Sequence, residues 1–254
     1  MSQRLYPPAR PQSIGEVLDA AFQILAASLV RTLPYGILLI IAGQLGSIYN
    51  LATGRPVGRA APTDVQAIVV YILSAIAVLV LWAALLLRQR ATAQGERNSM
   101  RVELTYALQR LQAMAGLSLL MLLAIVVGAL CLVLPGVYLC IALSMAQPLV
   151  VFERKGPIDA MKLSVQLVRG SWWRTLVIFL VAIAIVFVIY ILAIVVAAII
   201  LRFARGADVA LLSAAVTVLI IALGAFSTPF LAATQLAVFG DLQVRHAAMA
   251  NPRT

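Results

Sequence analysis

Five stretches of the chain, 33–54, 65–87, 111–152, 175–201 and 209–240, contain no Lys, Arg, Asp or Glu. Each is long enough to cross a bilayer, because about 20 apolar residues rising ~1.5 Å apiece span a ~30 Å hydrocarbon layer. The third is too long for one crossing, and Pro135-Gly136 near its middle predicts a tight uncharged turn between two helices. The pattern therefore predicts six spans, at about 34–53, 65–87, 114–134, 137–152, 175–201 and 210–239. The fourth is short, which implies local bilayer thinning or snorkelling at its ends. The sixth is long, and Pro229 after Ser227-Thr228 predicts a kink that neighbouring helices must satisfy.

The seams between spans carry a second, helical periodicity. Ser13 followed by Glu16 reads as a capping box, and Ile14, Val17, Leu18, Ala21, Leu25 and Leu29 recur behind it at helical spacing. Pro34 is expected to restart the chain into the first span. Gly156-Pro157 opens a second such helix and Gly170 closes it. On it Asp159, Lys162, Gln166 and Arg169 form one face, and Ile158, Met161, Val165 and Val168 another. A third covers Met100 to Gln112, with Leu104, Leu108 and Leu111 set against Thr105, Gln109 and Gln112. Amphipathic helices at about 13–31, 100–112 and 157–169 are thus expected in the cytoplasmic interface, each feeding a transmembrane hairpin. The expected fold is all-α and integral to the membrane, one domain over 1–254, with six transmembrane helices in three hairpins. Leu18-Asp19-Ala20 echoes Ile158-Asp159-Ala160, and Arg31-Thr32-Leu33 echoes Arg174-Thr175-Leu176. The two offsets differ by three residues and the middle copy lacks both echoes, so an ancestral repeat and convergence of hairpin junctions fit equally well.

Composition adds two points. At 63% hydrophobic, the chain far exceeds an ordinary globular domain. The net charge of +10 would suggest nucleic acid in a soluble protein, but its placement follows membrane topology instead. Fifteen basic residues fall in the N-terminus, the second and fourth loops and the C-terminus; the first and fifth loops hold Arg55, Arg59, Arg202 and Arg205. Basic loops stay cytoplasmic, which puts both termini inside a bacterial inner membrane, with the first span acting as an uncleaved signal anchor.

Little in the chain resembles a catalytic set. His246 is the only histidine and has no Cys near it, while Cys131 and Cys140 lie within apolar stretches. No cofactor or metal is expected. The cytoplasmic carboxylates sit beside Arg or at helix starts, where helix-dipole and ion-pair roles account for them. No ionisable residue falls inside a span, which argues against a proton-driven pump. Gln147, Pro148, Thr228, Pro229 and Gln235 are the candidate intramembrane polar site, and interhelical hydrogen bonding at ~0.6 kcal/mol each is the plainer account of them. Gly36, Gly43 and Ser47 let backbones approach, either within the bundle or in a homo-oligomer. Trp172 and Trp173 read as an interfacial anchor. Arg97, Arg101, Arg110, Lys155, Lys162, Arg169 and Arg174 are the candidate contacts for anionic lipid headgroups on the cytoplasmic face.

Three segments carry a family resemblance: SIGEVLDAAFQI from Ser13, LPGVYL from Leu134, and QPLVVFERKGPIDAMKLSVQLVRGSWWRT from Gln147. The chain resembles the bacterial membrane-domain family named after glycerophosphoryl diester phosphodiesterase, with its YciC-like inner-membrane relatives. Matching positions are Glu16, Leu18 and Asp19; Pro135, Gly136 and Tyr138; Pro148, Glu153, Gly156, Ala160 and Ser164; and Asp241, Leu242 and Arg245. Phe239 and Gly240 stand where an aromatic pair often precedes the Asp, and Gln243 replaces a usual Arg. In the named members a separate soluble phosphodiesterase barrel accompanies the membrane domain. No such barrel is expected here, and that activity is not carried over. The expected function is a non-enzymatic scaffold or lipid-interacting module of the cell envelope, with lipids and an envelope protein as partners. The rival is a transporter for a small or amphipathic molecule, using the Pro-broken fourth and sixth spans.

Overall fold

Ser13 begins the first helix as its spacing requires. Its Oγ accepts from the Glu16 backbone N at 3.3 Å, and the Glu16 carboxylate accepts from the Ser13 N at 2.6 Å. In the computed structural model, which describes residues 6–54, 65–96, 98–203 and 209–250, that cap leads into one 39-residue helix, α1 (Ile14–Ala52). The expected break between a helix at 13–31 and a span at 34–53 is absent, and Pro34 lies inside α1. A stripe of buried residues explains why. It runs without interruption through Val17, Ile24, Ser28, Thr32, Gly36 and Leu39, so packing on both sides of Pro34 overrides the single lost backbone bond.

The next helices are α2 (Val65–Ala93), α3 (Met100–Gln109) and α4 (Leu111–Cys131). Ser99 caps α3, accepting from the Val102 N at 3.4 Å. The helix expected to reach 112 stops at Gln109, and Arg110 joins it to α4, so Leu111 and Gln112 belong to the membrane helix. The following reversal occurs at Leu132, whose backbone is extended (φ −171°, ψ 147°), rather than at Pro135-Gly136. That pair sits in the first turn of α5 (Val133–Ala142), where a missing N–H has no intrahelical acceptor to lose. Gly136 marks a close crossing, since a Cβ there would lie 3.0 Å from the Ala129 Cα of α4.

The fourth span comes in two pieces. α5 ends at Ala142, residues 143–145 turn, and α6 (Ala146–Glu153) continues. Arg154, in the left-handed region at φ 56°, terminates α6, and Gly156 and Pro157 open α7 (Pro157–Val168). Gly170 at φ 86° separates α7 from α8 (Trp172–Phe203), and α9 (Val209–Ala250) closes the chain with Pro229 inside it.

α1 lies along both α2 and α9, α4 packs on α5, and α8 rests against α9. At the α1–α9 contact Gly36 faces Ala225, and a Cβ on Gly36 would lie 2.9 Å from the Ala225 Cα and nearer still to its carbonyl oxygen. That carbonyl is the one left without a helical donor by Pro229, four residues on. Gly43 does not share this role, because it faces open space while Gly46 takes the Tyr71 ring. Six helical stretches are long and apolar enough to cross a membrane: Ile14–Ala52, Val65–Ala93, Leu111–Cys131, Val133–Glu153, Trp172–Ile199 and Val218–Met249. The protein is therefore an all-helical, multi-pass membrane protein.

Candidate functional site

The five polar candidates within the spans are each engaged locally. Gln147 accepts from the Trp82 Nε1 at 3.0 Å, and Thr228 Oγ1 donates back to the Gly224 carbonyl at 2.9 Å. The Pro229 carbonyl accepts from Gln89 Nε2 at 2.6 Å, and Pro148 is buried within α6. Gln235 Nε2 donates to the Ser144 carbonyl at 2.7 Å, so the fourth and sixth spans do meet at this residue. Ser144 lies in the break between α5 and α6, and Ser164 of α7 completes the repair there. Its Oγ donates to the Ala142 carbonyl at 2.7 Å and accepts from the Met145 N at 3.1 Å. The break is satisfied by protein groups, as backbone at membrane depth requires. Among the described residues no hydrogen bond joins one of the five candidates to another.

The basic candidates divide by exposure. Arg101, Lys155, Lys162 and Arg169 are exposed, Arg110 is half-buried at the α3–α4 joint, and Arg97 lies outside the described residues. On α7 the polar face is the expected one, but the buried stripe is Ala160, Ser164, Leu167 and Val168, with Ile158 exposed. Small Ala160 and Ser164 let α7 approach the α5–α6 break closely enough for the serine to bond there.

Arg174 is held inside a charged clamp. Its Nη2 donates to Asp241 Oδ2 at 2.9 Å and to the Gln12 carbonyl at 2.6 Å. Arg245 repeats both contacts, with Nε on Asp241 Oδ2 at 2.8 Å and Nη2 on the Gln12 carbonyl at 2.6 Å. The other carboxylate oxygen of Asp241 accepts from the Gln12 N at 2.8 Å. One buried acid thus ties the N-terminal segment to the start of α8 and the end of α9. Beside it Tyr6 Oη donates to Gln243 Oε1 at 3.1 Å, and burial pushes the Tyr6 phenol up to about 12.

A second buried acid, Glu103, joins three helices. Its Oε2 accepts from Tyr35 Oη at 2.6 Å and pairs with Arg88 Nε at 2.9 Å, while Arg88 Nη1 donates to the Asn98 carbonyl at 2.8 Å. Desolvation moves the Glu103 carboxyl above the usual carboxylate range, against the lowering effect of Tyr35 and Arg88. The expected apolar face of this helix, Leu104, Leu108 and Leu111, is only in part the packed one: Leu108 is exposed, and Met100, Glu103 and Ala107 pack beside Leu104 instead.

One more arginine stands apart. Arg90 has its guanidinium carbon 4.7 Å from the Phe152 ring centre and 6.0 Å from that of Tyr6. It lines a cleft of about 450 Å³ together with Leu87, Ala91, Glu96, Val102 and Tyr106, among others. Arg154 reaches the same wall, its Nε donating to Tyr106 Oη at 2.9 Å. Among the described residues no three His, Cys, Asp or Glu side chains gather as a metal-binding group.

The end that carries these charges is built from the N-terminal segment, α1, the end of α2, α3, the end of α6, the start of α8 and the end of α9. No curated protein and no solved structure matches the chain. Residues 99–244, which hold α3 to α9 up to and including Asp241, match the family model described as "Domain of unknown function (DUF7847)". With more than half its length matched, from the Ser99 cap to the Asp241 clamp, the chain belongs to this family.

Proposed function

We propose that the protein is a non-enzymatic module of the bacterial inner membrane that engages anionic lipid headgroups through cations at the end holding both termini, and so scaffolds other envelope proteins. The observation that carries this is the contrast between two sets of polar residues. Arg101, Lys155, Lys162 and Arg169 are exposed and take part in no ion pair among the described residues. Gln147, Thr228 and the Gln235 amide nitrogen inside the spans instead bond neighbouring protein groups, while Gln235 Oε1 is buried without a partner. Exposed cations beside a membrane attract anionic headgroups at about 1 kcal/mol each. The resemblance to the membrane domain of glycerophosphoryl diester phosphodiesterases agrees with a lipid-facing role without supplying an activity. A transporter would draw on the broken fourth span, but Ser164 and Gln235 already occupy the backbone groups that a substrate or cation would need there.

The test uses the full chain reconstituted in vesicles containing phosphatidylcholine and phosphatidylglycerol, with transfer of tryptophan fluorescence to pyrene-labelled lipid as the readout. Arg101→Glu, Lys162→Glu and Arg169→Glu combined should lower the preference for phosphatidylglycerol tenfold or more. An unchanged preference in the triple variant would sink the proposal.

A further inference from the structure

We infer that the cleft between the end of α2 and α3 is a discrete binding site for the phosphodiester of a phospholipid headgroup, with the Arg90 guanidinium as its anion contact. The inference rests on the headgroup reading above and gives it one saturable site. Three other half-buried arginines have a carboxylate: Arg88 has Glu103, and Arg174 and Arg245 share Asp241. Arg90 has none, and its Nε is buried with no hydrogen-bond partner. A desolvated cation without an acceptor is costly, and ring faces offset only part of that cost. The Phe152 and Tyr6 rings hold the guanidinium in place without using its N–H groups, and with Nε closed off the two Nη groups are left for an anion.

The surroundings select the anion. At about 450 Å³ the cleft falls within the range of small-ligand sites and suits a headgroup. Leu87, Ala91 and Val102 give it an apolar wall, and Tyr106, Gln94 and Asn98 add polar groups. Two acids also line it. Glu103 is neutralised by Arg88, whereas Glu96 is exposed and has no ion pair among the described residues. One uncompensated arginine with an acid nearby suits the single negative charge of a phosphodiester better than the double charge of a phosphomonoester. That charge count, with the apolar wall, favours a lipid over a soluble phosphate compound. Arg154, held against Tyr106, supplies a second cation at the wall.

The test is native mass spectrometry of the full chain in detergent, titrated with phosphatidylglycerol and separately with soluble glycerol phosphate. The wild type should bind one phosphatidylglycerol saturably, and Arg90→Gln should weaken that binding at least tenfold while Arg202→Gln, at an exposed position outside the proposed lipid contacts, leaves it intact. Should Arg90→Gln not fold, the exposed Arg154→Gln carries the test, with at least threefold weaker binding expected. Retention of the bound lipid by the folded variant overturns the site. Displacement of the lipid by equimolar glycerol phosphate overturns its assignment to a phospholipid. Vesicle preference reads Arg101, Lys162 and Arg169, whereas the bound lipid reads Arg90, so the surface and the cleft fail separately.

Discussion

Asp241 gathers three hydrogen-bond donors, two of them from distant parts of the chain, on one side chain. Two arginines and the Gln12 backbone converge on one carboxylate that is almost fully buried. Removing one partner of such a cluster leaves the others charged and desolvated, which costs about 3 kcal/mol. Asp241→Asn keeps the shape and removes the charge, so its thermal transition in detergent should fall by several degrees. The Gln12 amide, which donates to that carboxylate, should also exchange its hydrogen with solvent faster. An unshifted transition would mean the clamp adds no net stability. Half of this clamp was legible: Asp241 and Arg245 lie four apart, the spacing of a helical ion pair, and both belong to the motif behind the family resemblance. The other half was not, because Gln12 and Arg174 stand 229 and 67 residues from Asp241. An arginine after two tryptophans looks the same in sequence whether it meets headgroups or a buried acid.

Among the helices, the absence of charge was a sufficient guide to where spans lie and a poor one to where they begin or break. A missing charge is a local fact, while the fate of a proline depends on what packs beside it. Pro34 was expected to end a helix, yet the stripe from Val17 to Asn50 holds α1 together across it. Pro135-Gly136 was expected to form a turn, yet Leu132 makes the turn and Gly136 makes the crossing. The break between α5 and α6 was half legible: Pro148, four residues after Ser144, removes the helical donor of the Ser144 carbonyl, but the groups that replace it come from α7 and α9. Glycine contacts give a direct test of this packing. Gly36→Ala forces a methyl group into the Ala225 backbone, which cannot swing aside as a side chain can, and should cost about 1–3 kcal/mol. Gly43→Ala meets nothing within 4 Å and should be neutral or stabilising by up to about 1 kcal/mol. Melting of the two variants in detergent checks the contrast, and equal behaviour would remove Gly36 from the α1–α9 contact.

At the scale of the whole molecule, six crossings require both termini on one side, and the contacts agree. Tyr6 bonds Gln243, and Gln12 bonds Asp241, so the two ends of the chain share one face. We propose from charge that this face is the cytoplasmic one: the end with both termini carries most of the arginines, and basic segments favour the cytoplasm. The chain's own cysteines can report this. α4 starts at Leu111 beside the charged α3 and runs 21 residues, about one hydrocarbon thickness, which carries Cys131 to the opposite face. Cys131 is exposed there, next to the turn at Leu132. With Cys140→Ser in place, a membrane-impermeant maleimide should label Cys131 in spheroplasts whose inner membrane is intact. Met249 is 65% exposed near the end of α9. A Met249→Cys variant lacking both native cysteines should label only after the membrane is permeabilised. The reverse pattern would turn the molecule over and place Arg101, Lys162 and Arg169 on the outer side. The positive-inside assignment and the cytoplasmic headgroup surface would then fall together, whereas the Asp241 clamp and the α1–α9 packing, which depend only on contacts within the chain, would stand.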